Sequence, residues 1–271
     1  MIWTMKGRIY DVYNVTEINL HGDYCSLQDS SKKVITEIPL EVVVNGERFV
    51  NLLCLNQYQK ELAVGFLYSE GVIESYEDVE KITYDEDSST VLVDLRENIE
   101  VNQQENLRSI TSGGGKSYTN INDQNHILYK ALDSDNKFSG VSIIKGMQEF
   151  IDKSEIFIKV GGVHSVLLSS PDLSILTEDI GRHNALDKIT GILMKEKKME
   201  IIRESVLYLS GRVSSEMITK VIRLGVPVLV SRSTPTATAI ELAQKYNVSL
   251  LGYVRGNKGY IYTSPERIEM K

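Results

Sequence analysis

Cysteine is scarce in this 271-residue sequence, which contains only Cys25 and Cys54 and no C-x-x-C pair. So few cysteines, so far apart, exclude a disulfide scaffold and a structural zinc site, and they fit a reducing cytoplasm. Apolar runs are also short, since none approaches the roughly 20 residues that a membrane-spanning helix needs. The first residues, MIWTMKGRIYDVYNV, lack the continuous apolar core of a signal peptide. We therefore expect a cytoplasmic protein without a membrane partner.

Positive charge is outnumbered, with 30 Lys and Arg against 37 Asp and Glu and a net charge of −7. Broad nucleic-acid binding needs a basic face, so the composition argues against a nucleic-acid partner but is compatible with a local basic pocket. The motifs H-E-x-x-H, H-x-E and G-x-S-x-G are missing as well. Metalloprotease, zinc-deaminase and serine-hydrolase activities therefore have no support from the sequence.

One glycine-rich stretch, TSGGGKS at residues 111–117, resembles a phosphate-binding loop but has the wrong spacing. A P-loop requires G-x-x-x-x-G-K-[ST], and Ile110 stands where the first glycine should be. The polar residues before it also provide no strand to lead into such a loop. The stretch by itself predicts an exposed, mobile loop.

The first half of the chain is predicted to be mostly β-structure. Asn45-Gly46 between two β-rich runs indicates a hairpin, and a helix should follow with Asn56 as its N-cap and Gly71 at its end. One buried stripe of that helix is predicted from Tyr58, Leu62, Ala63, Phe66 and Leu67. Strands are expected near residues 79–84 and 90–95, and polar residues 102–126 predict a flexible connection.

The second half alternates strand-like and helical segments, which predicts an α/β sheet covered by helices. A helix is expected near residues 140–152, with a shared apolar face of Val141, Ile144, Met147 and Ile151. The strand-like runs that follow are IFIKV, VHSVLLS, LSILTE, SVLYLS, VPVLVS and VSLLGYV, with helices at 184–196, 214–224 and 235–246. We divide the chain into a β-rich part, residues 1–135, which includes the glycine-rich loop, and an α/β ligand-binding part, residues 136–271.

Polar residues follow four of these strands, in the segments EDIGRHN, SGRVSSE, SRSTP and RGNKG. Each segment contains an arginine: Arg182, Arg212, Arg232 and Arg255. In a parallel sheet such junctions open on one edge, where helix N-termini and arginines favour phosphate groups. The four junctions together predict a pocket for a polyanion such as a phosphorylated nucleotide.

Each junction also has a simpler structural interpretation. Thr234-Pro235 is a typical helix start, and a single loop arginine is usually solvated. Glu178 or Asp179 would accept the donor edge of a guanine, hold a metal ion, or lie at a helix start as a stabilising carboxylate. A histidine in a strand or a cap, such as His164 or His183, is more often structural than catalytic.

Six segments in order resemble the formate dehydrogenase accessory sulfurtransferase family, FdhD: ELAVGFLYSEGVI, GGVHSVLL, EDIGRHNALDK, SGRVSSEMITK, GVPVLVSRSTPT and LLGYVRGNKGYIYT. The resemblance covers roughly residues 35–268, and EDIGRHNALDK followed by SGRVSSEM is highly specific. It implies a cytidine-deaminase-like α/β fold without the deaminase zinc. It also implies sulfur transfer from a cysteine desulfurase, as a loop persulfide, to the molybdenum or tungsten cofactor of formate dehydrogenase.

The resemblance further implies where the cofactor, bis-molybdopterin guanine dinucleotide, is bound as cargo, with GDP as its mimic. It assigns the segment Tyr253, Val254, Arg255, Gly256, Asn257 and Lys258 to that ligand. From the junctions we add Arg182, His183, Arg212 and Ser231 as binding residues. The expected partners are formate dehydrogenase, a cysteine desulfurase and a second copy of the chain in a homodimer.

The glycine-rich loop departs from the family pattern C-x-x-C-G-K. When its Gly115-Lys116 is aligned with that pattern, the two cysteine positions fall on Thr111 and Gly114. A persulfide needs a thiol, so sulfur transfer by this loop is in doubt. Two alternatives remain open: a non-catalytic cofactor chaperone, and an enzyme acting on another guanine-nucleotide-like substrate with Glu178 or Asp179 as base and His183 as acid.

Overall fold

The computed structural model describes residues 8–97, 99, 108–110, 129–133 and 136–270 of the chain. The first part is rich in β-structure, as predicted. Its elements are β1 Tyr10–His21, β2 Tyr24–Ile35, β3 Ile38–Val44, β4 Glu47–Cys54, α1 Gln59–Ser69, β5 Val79–Asp85, β6 Thr90–Leu95 and β7 Arg108–Ile110. Strands β3 to β7 form a sheet in the order β5-β6-β3-β4-β7, whereas β1 and β2 pair only with each other among the described strands. We call the β1–β2 hairpin the N-terminal arm.

The second part contains a six-stranded sheet with helices. Its elements are β8 Phe138–Ser139, α2 Gly140–Lys153, α3 Glu155–Lys159, β9 His164–Ser169, β10 Ser174–Asp179, α4 Arg182–Lys195, β11 Val206–Leu209, α5 Ser215–Leu224, β12 Val228–Ser231, α6 Ala237–Lys245, β13 Ser249–Arg255, β14 Lys258–Ile261 and β15 Ile268–Glu269. The sheet is mixed, in the order β10-β9-β11-β12-β13-β14, and β8 pairs with β15. This architecture confirms the predicted mixed α/β class.

The central strands of the large sheet are buried on both faces. On one face Leu207 and Leu229 join a hydrophobic cluster with α1, α4 and α5, and on the other Tyr208 and Val230 pack beneath α2. Strands covered on both faces are near-continuous apolar runs, which explains the segments VLYL and VLVS. The first cluster extends to Leu52 of the five-stranded sheet, so the two parts of the chain share one core.

Helices α1 and α4 cross at very short range through two glycines. A Cβ added to Gly65 would lie 1.8 Å from the carbonyl oxygen of Asp187, and one added to Gly191 would lie 1.9 Å from the carbonyl oxygen of Glu61. Backbone therefore touches backbone at this crossing. Because α4 begins at Arg182, the crossing also sets the position of Arg182 and His183 relative to the first part of the chain.

Turn chemistry was predicted correctly in two places and wrongly in a third. Asn45 and Gly46 have φ of 50° and 83° and form the β3–β4 hairpin turn, and Gly71, with φ of 77°, follows the end of α1. In contrast, Thr234-Pro235 does not start α6. The helix begins after Thr236, whose side chain accepts a hydrogen bond from the backbone N–H of Ala239.

One predicted strand is a helix. The run IFIKV suggested a strand, but Glu155–Lys159 forms α3. The carboxylate of Glu178 accepts hydrogen bonds of 2.9 Å from the backbone N–H groups of Ile156 and Phe157. These bonds satisfy amides that the first helical turn would otherwise leave unpaired. A tertiary contact thus overrides the local β-propensity.

Two predicted helix faces also need correction. The N-cap of α1 is Tyr58 rather than Asn56, and Tyr58 is 47% exposed instead of buried. The rest of α1 is buried almost all round because the five-stranded sheet and α4 enclose it. In α2, Val141 is 50% exposed, and the buried residues are Ile143, Met147 and Phe150.

Part of the predicted flexible connection, residues 102–126, differs from expectation, since residues 108–110 pair with β4 as strand β7. The rest of that connection, including the glycine-rich loop, lies outside the described residues. Across the portion of the chain that is described, no helix combines the length and apolar character needed to span a membrane.

Candidate functional site

The four polar junctions lie at one edge of the six-stranded sheet. Strands β11, β12 and β13 are parallel, and β10 has the same direction because β9 pairs antiparallel with both β10 and β11. The carboxyl ends of these four strands therefore meet, together with the amino end of β9, where His164 lies. We call this region the carboxyl edge. The strand directions bring together the arginine-bearing segments that the sequence placed after each strand.

Arg182 and His183 begin α4 at the carboxyl edge. Nε of Arg182 and both ring nitrogens of His183 are buried, and no described residue forms a hydrogen bond with them. The carboxylate of Glu216 comes within 3.4 Å of His183 Nε2 without hydrogen-bond geometry. Burial of polar groups without partners is unfavourable, so these three nitrogens are available to a ligand.

The electrostatics of the edge keep His183 neutral. Burial lowers its pKa well below the ordinary 6.5, and the nearby charges of Lys220, Arg182 and His164 lower it further. A neutral imidazole offers one donor and one acceptor, and it is a poor general acid at neutral pH. This argues against the proton-donating role considered for His183.

His164 connects the first and second junctions. Its Nδ1 lies 3.5 Å from the hydroxyl of Ser210, and burial, followed by the charge of Arg182, lowers its pKa against the opposing effect of Asp179. A Cβ on Gly211 would lie 3.0 Å from His164 Nδ1 and 3.9 Å from Cδ of Arg182. Glycine at this position therefore allows the second junction to approach both side chains.

Ser231 connects the second and third junctions. Its side chain is fully buried, and its hydroxyl donates to the carbonyl of Gly211 at 2.7 Å and accepts from the N–H of Ser233 at 3.0 Å. These bonds give Ser231 a positioning role at the edge. Arg212, one residue beyond Gly211, is exposed and faces solvent.

The fourth junction carries exposed cations and tyrosines. Strand β13 is irregular between Gly252 and Arg255, and Tyr253 has a φ of 54°, which is unusual for a bulky residue. The guanidinium of Arg255 lies 4.4 Å from the ring centre of Tyr253 and donates through Nε to the carbonyl of Arg232 at 3.0 Å.

The remaining residues of the fourth junction differ in which of their groups a ligand could contact. Gly256, Asn257 and Lys258 form the exposed turn into β14. Val254, in contrast, is fully buried beneath α2, so it would meet a ligand only through its backbone.

The acidic residues considered as base or metal ligand are structural instead. Besides capping α3, Glu178 accepts from the hydroxyl of Ser165 at 3.0 Å. Asp179 is fully buried and accepts from the N–H groups of Leu55 and Gly181, from Asn184 Nδ2 and from Lys188 Nζ, the last at 2.6 Å. With all their bonds directed to the protein, neither carboxylate is free to act as a base. Within the described residues no cluster of His, Cys, Asp and Glu could hold a metal ion.

A second buried ion pair beneath the site had no signal in the sequence. Asp187 of α4 accepts from Lys220 of α5 at 2.6 Å and from the hydroxyl of Ser69 of α1 at 2.7 Å. Burial raises the pKa of Asp187, and Lys220 opposes that rise. Local sequence around Asp187 could not reveal the pair, because its partners come from two other helices.

The two cysteines have opposite environments. Cys54 is fully buried, and burial, with the charge of Asp179, raises its pKa to about 12. Cys25 is exposed on the N-terminal arm. The positions Thr111 and Gly114 lie outside the described residues.

Comparison with known proteins identifies the family of this chain. The sequence profile of the FdhD/NarQ family matches residues 35–269. The sulfur carrier protein FdhD of Bacillus pumilus strain SAFR-032 is 37% identical over 240 residues, which cover 87% of this chain and 90% of the relative. The sulfur carrier protein FdhD of Bacillus subtilis strain 168 is 35% identical over 249 residues, which cover 91% of this chain and 93% of the relative.

A solved structure shows the same fold. It is a protein of Desulfotalea psychrophila, provisionally named a formate dehydrogenase accessory protein, with a TM-score of 0.74 and 21% sequence identity. The match covers 97% of this chain and 100% of that one. The profile match and the two sulfur carrier relatives show that the chain belongs to the FdhD/NarQ family, as the junction motifs predicted.

Proposed function

We propose that this protein assists the maturation of formate dehydrogenase by binding its guanylated molybdenum cofactor at the carboxyl edge. The observation that carries the proposal is the group of unpaired nitrogens on Arg182 and His183, buried where four arginine-bearing junctions converge. Family membership supports the same function, because its curated relatives are named sulfur carrier proteins FdhD.

The ligand that suits this edge is a polyanion with hydrogen-bonding bases, as bis-molybdopterin guanine dinucleotide is. Arg182, Arg212, Arg255 and Lys258 would donate to its pyrophosphate groups, and guanidinium groups suit phosphate oxygens especially well. Neutral His183 would donate one hydrogen bond and accept another. Tyr253, held beside Arg255, offers a ring face to a base.

We infer that the cofactor-binding role is retained while the glycine-rich loop carries no persulfide, because neither Thr111 nor Gly114 has a sulfur atom. Cys54 does not replace them, since a buried thiol with a pKa of about 12 forms almost no thiolate at neutral pH. This favours a cofactor chaperone over an enzyme. An enzyme acting on another guanine-nucleotide-like substrate is disfavoured, because Glu178 and Asp179 are fully engaged in structural bonds.

Several finer assignments belong to this proposal. They are a cytidine-deaminase-like fold, a cofactor-binding part at residues 136–271 beside a loop-bearing part at residues 1–135, action in the cytoplasm, and formate dehydrogenase and a cysteine desulfurase as partners. Each follows from the family's properties rather than from a contact in the structure.

Binding of GDP tests the site directly. A ligand that binds only the folded state stabilises it, by about 2.7 kcal/mol at a hundred times its dissociation constant. Thermal unfolding with GDP, GMP and guanosine should show the largest shift for GDP, because it has the most phosphate charge. If none of the three changes the unfolding temperature, the carboxyl edge is not a nucleotide site.

Calorimetry of a double variant then locates the phosphates. Arg255→Ala with Lys258→Ala removes two charged donors, each contributing about 1.5–3 kcal/mol when hydrogen-bonded, so GDP affinity should fall at least about tenfold. The control is Lys145→Ala with Lys153→Ala, which removes the same charge from the exposed face of α2. Equal affinities for both variants would place the phosphates elsewhere.

A further inference from the structure

A cavity of about 630 Å³ lies between α2 and the amino end of β11. One face of α2 contributes four residues to its lining: Ser142, Lys145, Gly146 and Glu149. Residues 169–171, at the end of β9, and Val206, at the start of β11, also line it. Because β9 runs antiparallel to β11, this α2 cavity lies at the opposite end of the sheet from the carboxyl edge. Its volume falls within the range of about 300–1,000 Å³ that is typical of small-molecule sites.

A buried tyrosine lines the α2 cavity and has an unpaired hydroxyl. Tyr208 of β11 is 3% exposed, and its hydroxyl forms no hydrogen bond with any described residue. Gly146 makes room for this hydroxyl, because a Cβ on Gly146 would overlap its oxygen. Burial, followed by the charge of Glu149, raises the pKa of Tyr208 far above the ordinary value of 10. A buried tyrosine hydroxyl usually has a partner, so this neutral phenol is available to donate a hydrogen bond to a ligand.

Two opposite charges on α2 are available to the same ligand. Lys145 and Glu149 are four residues apart, a spacing at which oppositely charged side chains are neighbours on a helix. They do not pair with each other. Glu149 instead lies 3.5 Å from Lys153 on the exposed surface, and Lys145 forms no ion pair with any described residue. Four helical residues place the two charges about 6 Å apart along the axis of α2.

The remaining lining makes the α2 cavity neutral overall and partly apolar. Lys137 donates to the carbonyl oxygen of Glu266 at 2.9 Å, and Glu204 also lines the cavity. The lining therefore contains two lysines and two glutamates. Phe138 and Val206 add apolar surface. A ligand that matches this lining has no net charge, carries both signs and has apolar groups.

The spacing of the charges sets the length of such a ligand. An extended peptide spans about 3.3–3.6 Å per residue, so the ammonium and the carboxylate of a dipeptide are about 7 Å apart. Those of a single amino acid are about half as far apart. The dipeptide therefore matches the separation of Lys145 and Glu149 more closely. Its amide group lies between its two charges, as Tyr208 at Gly146 lies between Lys145 and Glu149 along the helix.

We propose that the α2 cavity binds a zwitterionic dipeptide with apolar side chains. The carboxylate of the dipeptide binds Lys145, its ammonium binds Glu149, and its amide carbonyl accepts a hydrogen bond from the hydroxyl of Tyr208. The apolar side chains contact Phe138 and Val206. This site is remote from the carboxyl edge, so the inference does not depend on the proposed function.

Calorimetry of the full chain with leucyl-leucine tests the site. At the ligand efficiency of drug-sized molecules, about 17 non-hydrogen atoms give a dissociation constant on the order of 100 µM. N-acetyl-leucyl-leucine lacks the ammonium and leucyl-leucine amide lacks the carboxylate, so each should bind at least about tenfold more weakly. If leucyl-leucine does not bind at about ten times the expected constant, the cavity holds water only and the proposal fails. Equal affinities for the three compounds would also overturn it.

Two variants identify which protein charge meets which end of the dipeptide. Lys145→Met should bind leucyl-leucine amide as well as leucyl-leucine, and it should still discriminate against the acetylated compound. Glu149→Gln should show the converse pattern. The matched controls are Lys32→Met and Glu47→Gln, which make the same changes at exposed positions in the first part of the chain and should bind like the wild type. Variants that keep the wild-type preferences would refute the assignment.

Tyr208→Phe tests the hydroxyl separately from the fold. Loss of one neutral hydrogen bond should weaken binding of leucyl-leucine about fivefold. The unfolding temperature without ligand should not fall, because the hydroxyl has no partner to lose in the described part of the protein. Unchanged affinity, or a lower unfolding temperature, would show that the hydroxyl has a structural role instead and would contradict the proposal.

Discussion

Alanine at Gly65 or Gly191 should destabilise this protein, although alanine is ordinarily the better helix former. A new Cβ would lie 1.8 or 1.9 Å from a carbonyl oxygen of the opposite helix. Carbon and oxygen need about 3.3 Å, so α1 and α4 would have to separate by about 1.4 Å. Backbone atoms on both sides cannot rotate away, and the separation would loosen the core shared by the two parts of the chain.

The expected loss of stability follows from two opposing effects. Overpacking of this kind typically destabilises a protein by about 1–3 kcal/mol, and this contact lies at the severe end of that range. Replacing glycine by alanine in a helix stabilises it by about 1 kcal/mol. We expect a net loss of about 2 kcal/mol for each variant, or about 4–8 °C in unfolding temperature for a chain of this size. The double variant should lose less than the sum, because the first substitution already separates the helices.

Urea unfolding followed by circular dichroism measures these changes, with Gln148→Ala on the exposed side of α2 as a control that should stay within about 0.5 kcal/mol. The sign of the change in the free energy of unfolding decides the outcome. Helix propensity alone predicts that Gly65→Ala and Gly191→Ala stabilise the protein by about 1 kcal/mol. Stabilisation of either variant would therefore refute the close crossing of α1 and α4.

Three further predictions concern the site and its surroundings. Because the folded protein lowers the pKa of His183, the unfolded chain binds more protons below the ordinary value of 6.5, and stability is lost as pH falls through 6.5. In urea unfolding between pH 7.5 and 5, His183→Gln should lose less stability than the wild type, and parallel pH profiles would contradict this. Lys220→Met leaves Asp187 buried without its cation and should cost about 3–5 kcal/mol in denaturant unfolding, with partial recovery when Asp187→Leu is added; a loss under about 1 kcal/mol would argue against the pair. Mass spectrometry after incubation with a cysteine desulfurase and cysteine should find no persulfide on residues 109–117, and Thr111→Cys with Gly114→Cys should create one; strong labelling of a native cysteine would instead show that the sulfur-carrying position has moved.

Much of the fold could be predicted because its signals are local. Asn45-Gly46 adopts the positive φ values that a tight hairpin needs, and this preference belongs to the two residues themselves. Strands and helices alternate in the second half, and parallel strands end at one edge of a sheet. This pattern by itself predicts that the arginine junctions lie close together. The motifs at those junctions also sufficed to identify the family.

Other features depended on partners distant in sequence. IFIKV has β-propensity, yet it is helical because the carboxylate of Glu178 caps its amides. Glu178 and Asp179 were candidates for a general base or a metal ligand. They are structural instead, because they are buried among the amides and ammonium groups of other segments. The N-terminal arm likewise pairs only with itself among the described strands, and no local sequence pattern predicts that.

The sequence by itself determined the Asn45-Gly46 hairpin turn, most of the strand and helix alternation in the second half, the family and the missing thiols of the glycine-rich loop, because each of these depends on residue identity at short range. Tertiary structure decided that Arg182 and His183 hold unpaired nitrogens in a buried place, and that Asp179 and Asp187 are neutralised by lysines of the core. It also decided that two helices touch through glycines. The physical reason is that burial and charge pairing are properties of a residue's neighbours in space, and those neighbours are set only when the whole chain has packed.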